Sequence, residues 1–332
     1  MNKIVFFEID EWEKEHIQKS FSDVPLFFTQ NKVQEETNQE FFDAEVISTF
    51  IYSSLTNEQL NKFPNLKLIA TRSTGYDHID LAYCKEKNII VTNVPSYGAA
   101  SVAEQTIALI LTLSRKIIPT VERTRKGNFD LEGLRGFDLQ GKTLGVIGAG
   151  KIGQKVIDVA LCFGMKVLVH TEYGGENKEN LSYVSIDELI SSSDIISLHV
   201  PYTQQTHHMI NRDNIKKFKK GCILINTARG PLVETQAILD GLEQGYLQTA
   251  GLDVLEEECS LKEERELLTD DFLKSCDIKT QLLNHVLLER EDVIFTSHNA
   301  FNTQEALLQI LKTTTENIIG FSQNEPKNIV ET

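Results

Sequence analysis

The chain has 332 residues, 41% of them hydrophobic, and carries a formal net charge of −15. That length predicts two domains or one large one, and the acidic balance repels phosphodiester backbones, which argues against nucleic acid as a partner. No run of eighteen apolar residues is present, so no membrane span is expected.

In chain order, the first apolar stretch is residues 4–7, too short for a secretory signal and read as a buried strand. Further strand-like runs lie at 46–50, 66–70, 89–92, 144–147, 167–169, 195–198, 223–225, 250–252 and 293–295. Helical patterns separate them. Two helices are long: 99–125, with Val102, Thr106, Leu109, Ile110 and Leu113 at helical spacing, and 303–321, with Ala306, Leu307, Ile310 and Leu311. Short apolar strands alternating with helices predict an α/β protein with parallel sheets covered on both faces. The economical division is discontinuous. Residues 1–99 and 301–332 form one domain, residues 100–300 an inserted one, and the long helices carry the chain across a cleft between two doubly wound parallel-sheet domains, Rossmann-like and flavodoxin-like.

Several features receive plain structural readings. The cluster Lys216-Lys217-Phe218-Lys219-Lys220 precedes a strand and reads as a solvated face, and His207-His208 reads as part of a connector. The acidic stretch 256–271, with the chain up to Asp292, reads as a surface insertion between two strands. The five cysteines, Cys84, Cys162, Cys222, Cys259 and Cys276, form no C-x-x-C pair, which predicts reduced thiols in a cytoplasm. No His/Cys/Asp spacing suggests a metal site.

Residues 144–153 read as strand, tight turn and helix, with G-x-G-x-x-G on Gly148, Gly150 and Gly153. The first glycine allows the turn, the second lets backbone approach a pyrophosphate, and the third lets the helix pack on its strand. The free N–H groups of that helix then face the diphosphate, with Ala149, Lys151 and Ile152 completing the loop. The strand that follows ends at Thr171 and Glu172, where an acid commonly binds the adenosine ribose. No Arg or Lys follows directly, which favours NAD over NADP.

From here the motifs resemble the D-isomer-specific 2-hydroxyacid dehydrogenases, and most closely their D-lactate dehydrogenase branch. The resemblance runs through Thr71-Arg72-Ser73-Thr74-Gly75-Tyr76-Asp77-His78-Ile79-Asp80, Asn93-Val94-Pro95-Ser96-Tyr97 and Ser101-Val102-Ala103-Glu104. It continues through the glycine loop, Leu198-His199-Val200-Pro201, Asn226-Thr227-Ala228-Arg229-Gly230, Gly251-Leu252-Asp253-Val254 and Ser297-His298-Asn299-Ala300. It implies a cytoplasmic homodimer, paired through the 99–125 region, that binds NAD and a small 2-keto or 2-hydroxy acid. Within the family a NADPH-dependent glyoxylate or hydroxypyruvate reductase is the rival reading. From another class, the rival is an NADH-sensing corepressor-like protein.

The resemblance also implies roles. Arg229 follows a buried strand and its planar fork suits a carboxylate; it is the substrate anchor. His298 is the acid/base, a role that suits an imidazole because it can both give and take a proton. Glu258, the fifth residue after Asp253, is its partner, with Glu256 and Glu257 as neighbouring candidates. Asp253 holds the nicotinamide carboxamide. The N–H groups of Thr74 and Gly75 cradle the substrate carboxylate, and Tyr97 lines the pocket. Tyr52 lines it too, or packs in the core. His199, Val200 and Pro201 border the adenine, with Thr227 and Ala228 also near the cofactor. Thr106 contacts the diphosphate or packs in its helix. The chain departs from the family pattern at Leu255, Cys259 and Ser297, where an aromatic residue and two prolines are usual.

Overall fold

The computed structural model describes residues 3–21, 24–257 and 277–331. Glu258, Cys259 and Cys276 lie outside them. The chain divides into two compact units, Met1–Tyr97 with Asn302–Thr332, and Gly98–Phe301.

The first unit holds a parallel sheet of β1 (Ile4–Phe6), β2 (Leu26–Phe28), β3 (Val46–Thr49), β4 (Leu68–Thr71) and β5 (Ile90–Thr92), in the order β2-β1-β3-β4-β5. Helices α1 (Glu11–Gln18), α2 (Asn57–Leu60) and α3 (Leu81–Lys87) accompany it, with the C-terminal helix Gln304–Ser322. Successive strand residues point to opposite faces, and both faces are apolar. Val5, Ile47, Ile69 and Val91 pack with Leu60 and Cys84. Ile4, Phe6, Val46 and Leu68 pack with Ile17, Leu311 and Ile318. This two-sided burial makes the strands read as continuous apolar runs. The edge strand β2, Leu26-Phe27-Phe28, is apolar yet only partly buried along its length, and it is not among the runs read as strands from sequence.

The strand order reverses between β1 and β3, the point at which open parallel sheets commonly bind ligands. Arg72, only 2% exposed, stitches the sheet together there. Its Nη2 donates to the carbonyls of Phe7 (2.8 Å) and Glu8 (2.5 Å), and Nη1 donates to Ser48 Oγ at 3.3 Å. Glu8, in the left-handed region at φ 52°, turns its carboxylate to accept from Tyr52 N (3.0 Å) and Ser53 Oγ. Burial pulls the guanidinium below its usual range, and the carboxylates of Glu13, Glu8 and Asp10 oppose that pull.

The second unit holds seven parallel strands: β6 (Thr143–Ile147), β7 (Lys166–His170), β8 (Leu181–Tyr183), β9 (Ile195–Leu198), β10 (Cys222–Asn226), β11 (Leu247–Leu252) and β12 (Val293–Phe295). Their order is β12-β11-β10-β9-β6-β7-β8. Its helices are α4 (Ala99–Ser114), α5 (Ile117–Arg125), α6 (Lys151–Cys162), α7 (Ile186–Ser192), α8 (Thr235–Glu243) and α9 (Ile278–Leu288).

The single helix expected over residues 99–125 is two. The break falls at Arg115 and Lys116, where Lys116 sits at φ 55°. Its cause is a crossing segment: Phe137 N donates to Ser114 O at 3.0 Å, and a Cβ on Gly136 would lie 2.3 Å from that oxygen. The expected surface excursion up to Asp292 also contains α9, which buries Gln281, Asn284 and Leu287. Lys217 and Lys219 form exposed ion pairs with Asp187 and Asp194. Among the described residues the free cysteines are Cys84, Cys162 and Cys222; burial pushes the Cys84 thiol up to about 11. No helix among the described residues is long and apolar enough to cross a membrane.

Replacing Arg72 leaves buried carbonyls without a donor, which costs more than the contact itself. Trp12, the chain's single tryptophan, lies in the same unit and reports its unfolding. In urea, Arg72→Leu is expected to destabilise that fluorescence transition by about 3 kcal/mol. A loss below about 0.5 kcal/mol, the size of a surface substitution, would show the stitch to be unimportant.

Candidate active site

In the seven-stranded sheet the order reverses between β6 and β9, and the glycine loop occupies that point. Gly148 N donates to His170 O at 2.8 Å, while Gly148 itself adopts φ 97°. A Cβ there would lie 2.6 Å from His199 O, and one on Gly153 would lie 2.0 Å from Gly148 O. Both glycines are thus demanded by close backbone packing. Gly150 is different: a Cβ there would meet nothing within 4 Å. It opens α6, no side chain caps that helix end, and no acidic residue stands in its first turn. Open space over uncapped N–H groups fits a diphosphate.

The neighbouring positions are less uniform. Thr171 is half-buried and Glu172 exposed just beyond β7. His199 Nε2 pairs with Ser197 Oγ at 2.9 Å, and burial pushes its imidazole down to about 4, so it is neutral at physiological pH. Val200 is half-buried and Pro201 exposed. Thr106 has no exposed surface; its Oγ1 donates to Val102 O and meets Thr227 Oγ1, both at 2.8 Å.

The ends of β10, β11 and β12 lie side by side and carry Arg229, Asp253 and His298. Asn226 clamps the first turn. Its Oδ1 accepts from Ala228 N at 3.0 Å, and its Nδ2 donates to Arg229 O at 2.9 Å. Arg229 is half-buried, and its Nη1 donates to Ala228 O at 2.7 Å. Among the described residues no carboxylate pairs with it, so its charge is available to an anion.

Asp253 is fully buried and serves the next turn. Its Oδ1 accepts from Thr296 Oγ1 and from Asn299 N (3.0 Å), and its Oδ2 accepts from Ala300 N at 2.9 Å. His298 N donates to the Asp253 carbonyl at 2.9 Å, with His298 held at φ 51°. Burial pushes this carboxyl above its usual range, and the hydrogen bonds oppose the shift. Holding the His298 turn is a different duty from the carboxamide contact expected of Asp253. The His298 ring stands edge-on to Phe301, 6.3 Å between centroids. Glu256 faces away from the role considered for it: its carboxylate accepts from Thr235 and His208. Glu257 is exposed, and Glu258 lies outside the described residues.

Within the five-stranded unit, the loop after β4 carries Thr74 and Gly75. Thr74 Oγ1 donates to Val94 O at 2.7 Å, Asn93 Nδ2 to Thr74 O at 2.8 Å, and Ser73 Oγ to Gly75 O at 2.6 Å. The backbone N–H groups of Thr74 and Gly75 donate to no acceptor among the described residues. A rigid loop with two free amides can receive an anion. Tyr97 is half-buried. Tyr52 is 60% exposed, which removes the core-packing alternative.

Comparison with known proteins agrees with this geometry. Residues 107–300 match the NAD binding domain of the D-isomer specific 2-hydroxyacid dehydrogenases. A D-lactate dehydrogenase of Escherichia coli (strain K12) is 34% identical over 331 residues, 97% of this chain and 98% of its own. The chain belongs to this family. It is therefore an NAD-dependent oxidoreductase acting on a CH–OH group. A hydroxypyruvate reductase of Thermotoga maritima is 37% identical over 298 residues, 90% of this chain and 91% of its own. Among solved structures, D-lactate dehydrogenase from Aquifex aeolicus, complexed with NAD and lactic acid, superposes with a TM-score of 0.84. It shares 38% identity and covers 98% of both chains.

Four residues of this dehydrogenase's framework were not singled out for it from sequence: Glu8, Arg72, Asn226 and His208. Arg72 and Asn226 stand inside the quoted motifs, yet nothing in their spacing shows that their side chains bind backbone. Glu8 directly follows an apolar strand, the one available signal that it sits at a strand end.

The two kinds of glycine make a paired test. Gly150→Val is expected to leave thermal stability within about 0.5 kcal/mol while weakening NADH binding by at least about tenfold, measured by fluorescence titration. Gly153→Val should lose stability first, because its side chain collides with Gly148 O. Equal stability losses in both would remove the case for a diphosphate at Gly150.

Proposed function

We propose that this dehydrogenase reduces pyruvate to D-lactate with NADH, reversibly. The observation that carries the reading is the row of strand ends bearing Arg229, unpaired with any carboxylate among the described residues, and His298, whose turn Asp253 fixes. Gly148, Ala149, Gly150, Lys151, Ile152 and Gly153 would hold the diphosphate, and Thr171 and Glu172 the adenosine ribose. His199, Val200, Pro201, Thr227 and Ala228 would border the rest of the cofactor, which supplies the hydride to C2 when bound. Arg229 binds the substrate carboxylate and polarises the adjacent carbonyl. By the family resemblance the amides of Thr74 and Gly75 are donors to a substrate carboxylate, and Tyr52 and Tyr97 are pocket residues. His298 gives its proton to the C2 oxygen as charge develops there, and takes it back in the reverse direction. Glu258 stabilises the imidazolium. The unit Met1–Tyr97 with Asn302–Thr332 is then the substrate domain. Hydroxypyruvate is the second substrate considered, on the likeness to the Thermotoga maritima reductase.

We also propose a homodimer. Ile117, Ile118 and Val121 of α5 are 47%, 39% and 41% exposed, and no residue of α5 is buried. A helix with this much exposed apolar surface fits a covering partner, and a second copy is the occupant the family resemblance implies.

In steady-state kinetics His298→Ala is expected to lower kcat by on the order of 10²–10⁴, with NADH affinity kept. Arg229→Ala should raise the pyruvate KM by on the order of tenfold to a hundredfold, the worth of charge-assisted bonds. Wild-type turnover in either variant would overturn the assignment, and a higher kcat/KM for hydroxypyruvate than for pyruvate would replace the substrate. Sedimentation at micromolar concentration should give twice the chain mass of 37.5 kDa, and Val121→Glu should give the single mass. A monomer before substitution would refute the dimer.

A further inference from the structure

We propose that Glu256 is a positioning residue for Arg229, acting through a closed circuit of contacts with His208 and the turn that follows Arg229. This rests on Arg229 being the substrate anchor.

The circuit starts at Gly230. A Cβ there would lie 2.0 Å from both the carbonyl carbon and the oxygen of Leu255, and 2.5 Å from Glu256 N. The turn after Arg229 therefore lies directly on the Leu255–Glu256 peptide, with no side chain between them. Any shift of that peptide is transmitted to Arg229 one residue away.

The peptide is itself held by the Glu256 side chain. Oε2 accepts from Thr235 N and Thr235 Oγ1, each at 2.6 Å, and Thr235 is 2% exposed at the start of α8. Oε1 accepts from His208 Nε2. The Glu256 carbonyl accepts from Asn284 Nδ2 at 2.7 Å, which ties the same residue to α9. Its side chain is 12% exposed, whereas Glu257 next to it is exposed.

His208 closes the circuit. Its backbone N donates to Pro231 O at 2.9 Å, so one residue grips the turn after Arg229 with its backbone and Glu256 with its ring. His208 sits at φ 47°, a region that a non-glycine residue keeps only when its surroundings determine it. Stacking on His207, 3.8 Å between centroids at 22°, and the bond from Asn211 Nδ2 to His208 O at 3.0 Å supply those surroundings. Glu256 thus connects both supports of the Arg229 turn: the peptide beneath Gly230 and the backbone donor to Pro231. A guanidinium that must meet a carboxylate in one geometry depends on such supporting contacts.

The test measures pyruvate KM, kcat, NADH affinity and melting temperature for Glu256→Ala, Glu256→Gln and His208→Leu, each in the wild-type and the Arg229→Lys background. In the wild-type background Glu256→Ala is expected to raise the pyruvate KM by about tenfold, with kcat and NADH affinity within about twofold. Glu256→Gln keeps one acceptor oxygen and should fall between Glu256→Ala and wild type. In the Arg229→Lys background the same substitutions should add less than about twofold, since the geometry they protect is already lost. Two results overturn the proposal alone: an unchanged KM in Glu256→Ala while Arg229→Lys is impaired, or equal losses in both backgrounds. An unchanged KM in Arg229→Lys overturns the assignment of Arg229 itself. Should Glu256→Ala fail to fold, His208→Leu carries the same comparison, because Glu256 then keeps its bonds to Thr235.

Discussion

Every strand in each sheet runs the same way, and that single constraint places the chemistry. In a parallel sheet all strand C-termini lie on one edge, so the loops that leave them gather there whatever their separation in sequence. Gly148, His199, Arg229, Asp253 and His298 follow β6, β9, β10, β11 and β12. The first and the last of them stand 150 positions apart in the chain, yet the strands that carry them form an unbroken row in the sheet. The five-stranded sheet repeats the arrangement with Glu8, Tyr52 and Thr74 after β1, β3 and β4.

Gathering loops at an edge is not sufficient, because a loop with few contacts does not hold a side chain still. In both units the loops are pinned by buried or half-buried polar side chains that bond to backbone. Arg72 and Glu8 do this in the first unit, and Asn226, Asp253 and Glu256 in the second. These groups are expensive to bury unless every polar atom finds a partner. They find partners because loop backbone offers N–H and C=O groups that no helix or sheet has used. The same pairing that satisfies the buried charge removes the freedom of the loop. The backbone strain at Glu8, His208 and His298, all at positive φ, is maintained by these bonds.

The glycine loop shows the complementary device, in which absence of a side chain does the work. At Gly148, Gly153 and Gly230 the space for a Cβ is filled by neighbouring backbone. At Gly150 it is empty, which leaves room for a ligand over the uncapped N-terminus of α6. Three of these glycines match one motif, yet only the packing around each separates those that shape the loop from the one that faces out.

Much of this was legible from residue order alone. Buried parallel strands, covered on both faces, leave apolar runs that show without alternation, and so ten of the twelve strands among the described residues could be placed. The partly exposed edge strand β8, Leu181-Ser182-Tyr183, leaves no such run, and β2, though apolar at Leu26-Phe27-Phe28, is a three-residue segment directly behind Pro25 and was not read as a strand. The α/β class, the glycine loop, the NAD cofactor and the family followed from motifs whose spacing is local. The break of the helix at Lys116 was not legible, because its cause is a segment some twenty residues downstream that takes the Ser114 carbonyl. Nor could spacing show the duty of Glu256, which comes from its bonds to Thr235 and His208, residues distant from it in sequence. Local sequence specifies how a segment folds and which chemistry it carries. Which buried charge holds which loop depends on contacts between residues distant in the chain, and those exist only once the sheets have formed.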